Sequence, residues 1–531
     1  MRCGYVYKNG LKCWRMDRIE ITGNFKLALE LMENTDKNLF ITGKAGTGKS
    51  TLLQHFRNES DRNVVVLSPT GVSALNVLGQ TIHSFFGFKP NITLDSVRRL
   101  GARRAEMYKN IDVIIIDEIS MVRADLLDCV DAFLRYNGRS SNLPFGGTRM
   151  IFIGDLYQLP PVVTYRERKM FRQHYKSEYF FDAHAFEGFP AEFVELDRYY
   201  RHSDRKFIDI LNSVRNGAID SEQLKALNAR FDPSFEPGIS DGYITLVPTN
   251  RLADEINEAA LEKLSEKRFT YMAESDGAFE SKVLPADEEL NVKVDAQVML
   301  LNNDRQGRWV NGSVGRIIAI NRDGKGKDAI FVRLLDGSEV GVERHTWELF
   351  RFSYDSAAHK LVPESVGSFV QYPIMLAWAV TIHKSQGKTF DRMIVDVGSG
   401  IFASGQLYVA LSRCRTLEGI VLRKKIERKH VLTDYRVMKF LTKYQYMKSD
   451  ERMPMERKVE FIRKAIKEGR GIEILYLKAN DEKSRRVVVP SKVGTFEYLG
   501  REYLGMEGFD NKRKENRNFR IERILEIKEA E

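Results

Sequence analysis

Cysteine is scarce. The four in 531 residues, Cys3, Cys13, Cys129 and Cys414, are scattered at spacings that fit neither a zinc site nor a disulfide framework. A disulfide-stapled secreted scaffold is therefore excluded, and a reducing cytoplasm is the expected setting. Long apolar runs are also missing: no stretch of about 18 apolar residues exists, so neither a membrane span nor a membrane partner is expected. Met1 to Met16 is basic and polar without an apolar core, unlike a secretory signal. No internal repeat or low-complexity run is visible. What remains, 43% hydrophobic and 29% charged, is a globular chain long enough for three or four domains of about 150 residues.

The net charge of +10 is carried at one end. Residues 419–531 hold 29 Lys and Arg against 19 Asp and Glu, and the rest of the chain balances. Such a bias suits contact with nucleic acid and equally suits a solvated surface, so alone it decides little.

Three ordered segments decide more. Gly43-Lys-Ala-Gly-Thr-Gly-Lys-Ser-Thr51 fits G-x-x-x-x-G-K-S and follows a short apolar run ending at Ile41. Gly43, Gly46 and Gly48 let the backbone turn tightly and aim N–H groups inward. With Thr47 and the positive end of a helix beginning near Lys49, those donors suit a triphosphate. Lys49 is expected to reach the β- and γ-phosphates, Ser50 to offer its hydroxyl to Mg²⁺, and Thr51 to complete the cradle. Ile114-Ile-Ile-Asp-Glu118 ends a strand apolar on both faces, as a central parallel strand is. It places Asp117 to hold Mg²⁺ and Glu118 to orient or deprotonate water. Gly154-Asp-Leu-Tyr-Gln158 is a third strand end, carrying an acid and an amide. Together these describe a machine that binds a nucleoside triphosphate, holds its magnesium and senses hydrolysis.

Strand and helix alternate from about 17 to 195, with strands at Asn38–Ile41, Val64–Ser68, Val113–Ile116 and Met150–Ile153, the pattern of a parallel α/β sheet. An arginine-rich stretch, 87–108, reads as a small helical excursion. A second α/β pattern begins near 194, with strands at Tyr243–Pro248, Tyr372–Val380 and Met393–Val397. Between its pieces lies a turn-rich insert, about 301–370, with strands at Arg316–Ile320, Ile330–Leu335 and Glu339–Val342 and hairpin signals at Arg322-Asp-Gly-Lys and Asp336-Gly337. It reads as a small β-barrel. One charged helix, about 435–470, leads to a β-rich module at 471–531.

Further segments complete the series: Pro69-Thr-Gly71, Gly79-Gln-Thr-Ile-His83, Gln297-Val-Met-Leu300, Ala379-Val-Thr-Ile-His-Lys-Ser-Gln-Gly-Lys-Thr389 and Gln406-Leu-Tyr-Val-Ala-Leu-Ser-Arg413. Over roughly 20–435 this set resembles the petite-integration-frequency (PIF) family of DNA helicases, relatives of the RecD proteins in superfamily 1. The resemblance implies an α/β fold with two RecA-like P-loop motor domains, 1–195 and 196–300 with 371–435. It also implies a wedge at 87–108, a Src-homology-3-like barrel at 301–370 and a helical linker at 436–470. It further implies ATP with Mg²⁺ between the motors, 5′-to-3′ movement on single-stranded DNA, and unwinding of forked or structured DNA beside other replication or repair proteins.

By motif position, Gln158 resembles the γ-phosphate sensor, Arg201 and Arg413 the arginine fingers, and Gly387 a nucleotide contact. Thr70, Gly71, His83, Thr381, His383, Lys384 and Ser385 lie in segments similar to the family's DNA-binding elements. The sequence departs from the family at His202, where Gln is usual, and at Ile21-Thr-Gly-Asn-Phe-Lys, which lacks the Gln that reads adenine. Ile474-Leu-Tyr476, Arg486, Tyr503-Leu504 and Arg517–Ile524 resemble a WYL domain, with Glu502 in place of the namesake Trp. Arg485, Arg486, Arg517 and Arg520 are its candidate contacts. Two other readings stay open: an ATPase that remodels RNA or protein–DNA complexes without separating strands, and a WYL ligand-sensing switch.

Overall fold

The computed structural model describes residues 5–8, 11–14 and 23–530, apart from 78, 203, 239–240, 278–283, 323–327, 399, 402, 479–482 and 499. Two compact units divide the chain, residues 1–211 with 220–432, and 212–219 with 433–531.

The larger unit contains two parallel sheets. The first has six strands in the order Gln80–Thr81, Val64–Ser68, Val113–Ile116, Arg149–Gly154, Asn38–Gly43 and Ala191–Leu196. Every pairing is parallel. Strands Val113–Ile116 and Arg149–Gly154 are buried throughout, as continuous apolar runs in a doubly covered sheet must be. Helices Gly23–Asn34 and Lys49–Glu59 cover it through Phe25, Met32, Leu52, Leu53 and Phe56. The second sheet orders Ala379–Thr381, Ile244–Val247, Met393–Val395 and Ile420–Leu422, again parallel. In both, the segments with chemistry follow the C-terminal ends of strands, where an open α/β sheet binds its ligands.

The excursion at 87–108 comprises a 3₁₀ turn, Leu94–Ser96, and most of helix Ala102–Lys109. Aromatic packing holds it to the first sheet's helices: Phe88 lies 5.7 Å and Tyr108 4.8 Å from Phe133, with Phe86 stacked on Phe88.

Between the parallel strands lies a five-stranded antiparallel sheet, Glu339–Val342, Asp328–Leu334, Val314–Arg322, Gln297–Leu300 and Ile374–Leu376. The run read as one strand, Tyr372–Val380, is two: Ile374–Leu376 joins this sheet and Ala379–Thr381 the parallel one. The buried Gln297 divides them, its amide donating to the carbonyls of Ala377 and Tyr243. The turn expected at Arg322-Asp-Gly-Lys lies outside the described residues. A long hairpin, His345–Asp355 with Lys360–Gln371, was not expected from the sequence: its apolar alternation, Trp347 and Leu349 then Phe350, Phe352 and Tyr354, is broken by a register shift between Leu349 and Phe350. It leans on the first motor sheet, with Asn63 bonding Leu361 and His359 and Gln80 bonding the Phe350 carbonyl.

The smaller unit is a five-stranded antiparallel sheet, Glu515–Arg520, Arg501–Asp510, Lys483–Tyr498, Ile472–Leu477 and Ile524–Glu529, with its own core around Ile462, Ile474, Val488 and Phe519. The single helix expected over 435–470 is two, Tyr435–Arg452 and Met455–Glu468. Pro454 caps the second: it has no N–H to continue the first helix and pushes Met453 to extended backbone. Among the described residues no helix is long and apolar enough to cross a membrane.

Candidate active site

The loop after strand Asn38–Gly43 turns through Gly46 and Gly48 at φ of 79° and 89°, the left-handed region glycine tolerates. Space is as restrictive as conformation. A Cβ at Gly43 would lie 2.6 Å from Thr47 Oγ1, and one at Gly46 2.6 Å from Arg201 Cβ. Thr47 is buried and donates to the Lys44 carbonyl at 2.9 Å. Gly48 caps helix Lys49–Glu59, whose first three residues are Lys49, Ser50 and Thr51. Lys49 Nζ donates to the carbonyls of Gly43 at 2.7 Å and Lys44 at 3.0 Å, closing the loop around itself.

Asp117 ends its strand by donating its N–H to Leu67 O at 2.9 Å. Glu118 then takes φ of 52°, a left-handed conformation uncommon for a non-glycine residue, of the kind that gathers at functional sites. Burial pushes the Asp117 carboxyl up to about 6 and that of Glu118 up to about 7, the Asp117 charge adding to the latter. Lys49 beside them is pushed down by burial, opposed by Asp155, Glu118 and Asp117. Glu118 Oε2 is buried without a hydrogen-bond partner. Loop N–H groups with no room for side chains, a half-buried amine and a carboxylate pair with one buried, unsatisfied oxygen fit a nucleoside triphosphate with its divalent cation.

Two arginines close on this cluster. Arg413 follows helix Gln406–Leu411, is 2% exposed, and donates to Val409 O at 2.9 Å and Ser412 Oγ at 2.8 Å. Burial and the neighbouring Arg201 bring its guanidinium down to about 9, with Glu118 and Asp155 opposing. Arg201 donates to Ser412 O at 3.3 Å and Gly387 O at 3.4 Å, which places Gly387 (φ 80°) at the same point. His202 is buried too, its Nε2 3.0 Å from Cys414 O, which only accepts, so Nε2 carries the proton. The two arginine segments are thus tied together.

Gln158 is 6% exposed; its Nε2 donates to Asp155 Oδ2 at 3.4 Å and its Oε1 accepts from Gln386 at 3.4 Å. Asp155, noted in the sequence as an acid at a strand end, and Tyr408, inside the segment 406–413, are members to which the sequence assigned no role. Tyr408 OH accepts from Ala45 N at 2.9 Å and donates to Asp155 Oδ2 at 3.1 Å. Asp155 was legible, since like Asp117 it follows an apolar strand run, here Met150-Ile-Phe-Ile153. Tyr408 carries no signal, being one large residue in an apolar helix.

The residues assigned to a DNA track divide. Thr70 caps helix Gly71–Asn76, its hydroxyl accepting from Ser73 N at 3.2 Å, and Gly71 is buried. His83 lies on helix Ile82–Phe86. Lys384 is exposed and His383 half-buried, the latter held below its ordinary pKa by burial. Thr381 and Ser385 are turned inward: Thr381 Oγ1 accepts from Lys384 N at 3.2 Å, and Ser385 Oγ donates to Ile382 O at 2.8 Å. Those two shape the turn that presents His383 and Lys384 rather than facing outward.

In the smaller unit, Arg486 is not a surface contact. It is buried and ion-paired with the fully buried Asp510. Arg485 pairs with Glu473 and Glu526, Arg517 with Glu515, and Arg520 with Glu522 while its guanidinium lies 4.5 Å from the Tyr503 ring centre.

A phosphate loop on a parallel sheet, two carboxylates after the strand one place beyond its neighbour, the buried Arg413 and the half-buried Arg201 define a P-loop nucleotide-hydrolysing motor of RecA-like fold. The chain belongs to the PIF1-like helicases, which its residues 23–225 match; residues 457–529 match the WYL domain. The ATP-dependent DNA helicase Pif1 of Bdellovibrio bacteriovorus is 33% identical over 76% of this chain and 88% of its own length. The human ATP-dependent DNA helicase PIF1 is also 33% identical, over 72% of this chain, which spans only 58% of that longer protein. Bacteroides Pif1 solved with ADP-AlF4 superposes with a TM-score of 0.73 at 35% identity, covering 81% of this chain and 98% of the other; bound to single-stranded DNA, the score is 0.60 at the same identity and coverages.

Proposed function

We propose that this chain is an ATP-dependent DNA helicase that moves 5′ to 3′ on single-stranded DNA and unwinds forked duplexes. The observation that carries the reading is the gathering of the buried Arg413 and the half-buried Arg201 against Lys49, Glu118 and Asp155. Among the described residues Lys49, Arg201 and Arg413 donate only to carbonyl and hydroxyl oxygens and make no direct ion pair, and a triphosphate supplies the anionic acceptors. Relatives solved with single-stranded DNA and with forked DNA support the nucleic-acid partner.

In this mechanism the N–H groups of 43–51 and Lys49 hold the β- and γ-phosphates. Ser50 and Asp117 would hold Mg²⁺, which when bound neutralises phosphate charge. Glu118, raised toward neutral pH, accepts a proton from the attacking water. Arg413 and Arg201 meet the charge spread over the transferred phosphoryl group, a contribution of about 10³–10⁵ in rate for such fingers. Gln158 senses the γ-phosphate, and Thr70, His83, His383 and Lys384 lie along the strand's path, sequence-tolerant phosphate contacts of the kind single strands need.

Strand displacement from duplexes tailed at the 5′ or the 3′ end tests the reading. Unwinding with ATP of the 5′-tailed DNA alone is expected. ATP hydrolysis with no displacement of any DNA would favour a remodelling ATPase instead.

A further inference from the structure

Four hydrogen bonds join the phosphate loop to the segment 381–387. Ala45 N–H can only donate, so the Tyr408 hydroxyl accepts it at 2.9 Å, and its single proton goes to Asp155 Oδ2 at 3.1 Å. The same oxygen accepts Gln158 Nε2 at 3.4 Å, and Gln158 Oε1 accepts Gln386 Nε2 at 3.4 Å. Every donor and acceptor role in the line is fixed by chemistry, and Tyr408, Asp155 and Gln158 are all at most 6% exposed. Water cannot substitute for a missing member, and buried chains of this kind polarise along their length. One end is a loop N–H of the kind phosphates recruit. The other is the residue after Ser385, in the turn that presents His383 and Lys384. The relay also crosses from one parallel sheet to the other, since Tyr408 and Gln386 follow strands of the second while Ala45, Asp155 and Gln158 follow strands of the first.

We infer that the Tyr408 hydroxyl is a positioning group that couples strand occupancy at 381–387 to nucleotide turnover at the phosphate loop. This rests on the proposed ATPase and DNA-binding function. A nucleotide that takes the Ala45 N–H releases the hydroxyl, and Asp155 and Gln158 then re-pair. A strand that moves Gln386 acts on the same line from the other end.

The test is Tyr408→Phe, which removes one oxygen and keeps the ring, beside Gln386→Ala and the double variant. For each, kcat of ATP hydrolysis is measured with and without saturating oligo-dT, together with oligo-dT affinity and melting temperature. Tyr408→Phe is expected to reduce the stimulation ratio by about tenfold, the equivalent of about 1.4 kcal/mol, with oligo-dT affinity within about twofold of native. The double variant should lose no more stimulation than the worse single one, since both break one line. An unchanged ratio, an equal fall in basal and stimulated kcat, or multiplicative losses in the double variant would each overturn the inference. If the native chain is not stimulated by DNA at all, the proposed function falls and takes this inference with it; the other failures strike the relay alone.

Discussion

At the scale of single residues the site is a problem of buried charge. Lys49, Asp117, Glu118, Asp155 and Arg413 share one small volume, and removing one side of a buried cluster leaves the other unpaired. Lys49→Ala is expected to reduce kcat by at least about 10²–10³-fold, the scale set by losing one preorganised electrostatic partner. Glu118→Gln keeps size and loses basicity, so nucleotide affinity should persist while turnover stalls. Equilibrium binding of a fluorescent ATP analogue alongside steady-state hydrolysis distinguishes the two, and near-native turnover in either variant would remove that residue from the chemistry. His202 yields a different kind of expectation. Burial, with Arg201 adjacent, holds its imidazole down to about 4, against an ordinary value of 6.5. Below pH 6.5 the unfolded chain takes up a proton that the folded one refuses until about pH 4. Stability is therefore lost as pH falls through that window. His202→Gln can keep a donor for Cys414 O without titrating. Its urea midpoint should change less between pH 7 and pH 5 than that of the native chain; an equal change would place the acid sensitivity elsewhere.

At the scale of elements, helix Gln406–Leu411 positions both Tyr408 and Arg413, and its start is fixed by Gly405. That residue has φ of 74°, and a Cβ there would lie 2.3 Å from Tyr157 O and 2.4 Å from Gln158 O. The obstacles are backbone atoms, which cannot rotate away. Gly405→Ala should cost about 2–4 kcal/mol, combining left-handed strain and overpacking, and should lower kcat through displacement of Gln158. Calorimetry and ATP hydrolysis on the same preparation check it; a native melting temperature would show that the loop yields. Much of this architecture was legible beforehand, for identifiable reasons. Val64–Ser68 and Val113–Ile116 could be read residue for residue, because strands buried on both faces write themselves as unbroken apolar runs. The tight turn at Gly46 and Gly48 was legible from the spacing of its glycines, and the burial of Asp117 from the apolar run before it. The hairpin His345–Asp355 with Lys360–Gln371 was not, since much of it is exposed and a register shift between Leu349 and Phe350 breaks the alternation that leads to its buried Trp347 and Phe369. The inward turn of Thr381 and Ser385 escaped for another reason: hydroxyls bonded within a turn and hydroxyls offered to a phosphate are the same letters. Arg486 was misread similarly, because its partner Asp510 is 24 residues away in sequence.

At the scale of the whole molecule the question is what residues 433–531 add. Together with residues 212–219 they form a unit with its own core, and every motor motif ends before Arg415. The cut must fall after Leu432 rather than at the second helix. Lys458 Nζ donates to Ser449 Oγ at 2.8 Å, and Ser449 Oγ to Leu525 O at 2.8 Å, so both helices belong to the sheet they cover. Residues 1–432 are expected to remain a DNA-stimulated ATPase with weaker binding to single strands. The removed piece holds 24 Lys and Arg against 18 Asp and Glu, but most of its strand arginines are already paired. Lys512, Arg513 and Lys514 stand together at the turn before strand Glu515–Arg520, are exposed, and make no ion pair among the described residues, which makes them the densest group of cations open to phosphates here. Three such contacts on single-stranded DNA contribute about 2 to the log–log salt slope, at about 0.7 each. Titrating oligo-dT into full-length and shortened protein from 50 to 300 mM salt (about a sixfold range) measures the slope directly, and a triple Lys512→Ala, Arg513→Ala, Lys514→Ala variant of the full chain should reproduce most of the change. Equal slopes in all three proteins would show that the module leaves the DNA to the motor and serves another ligand.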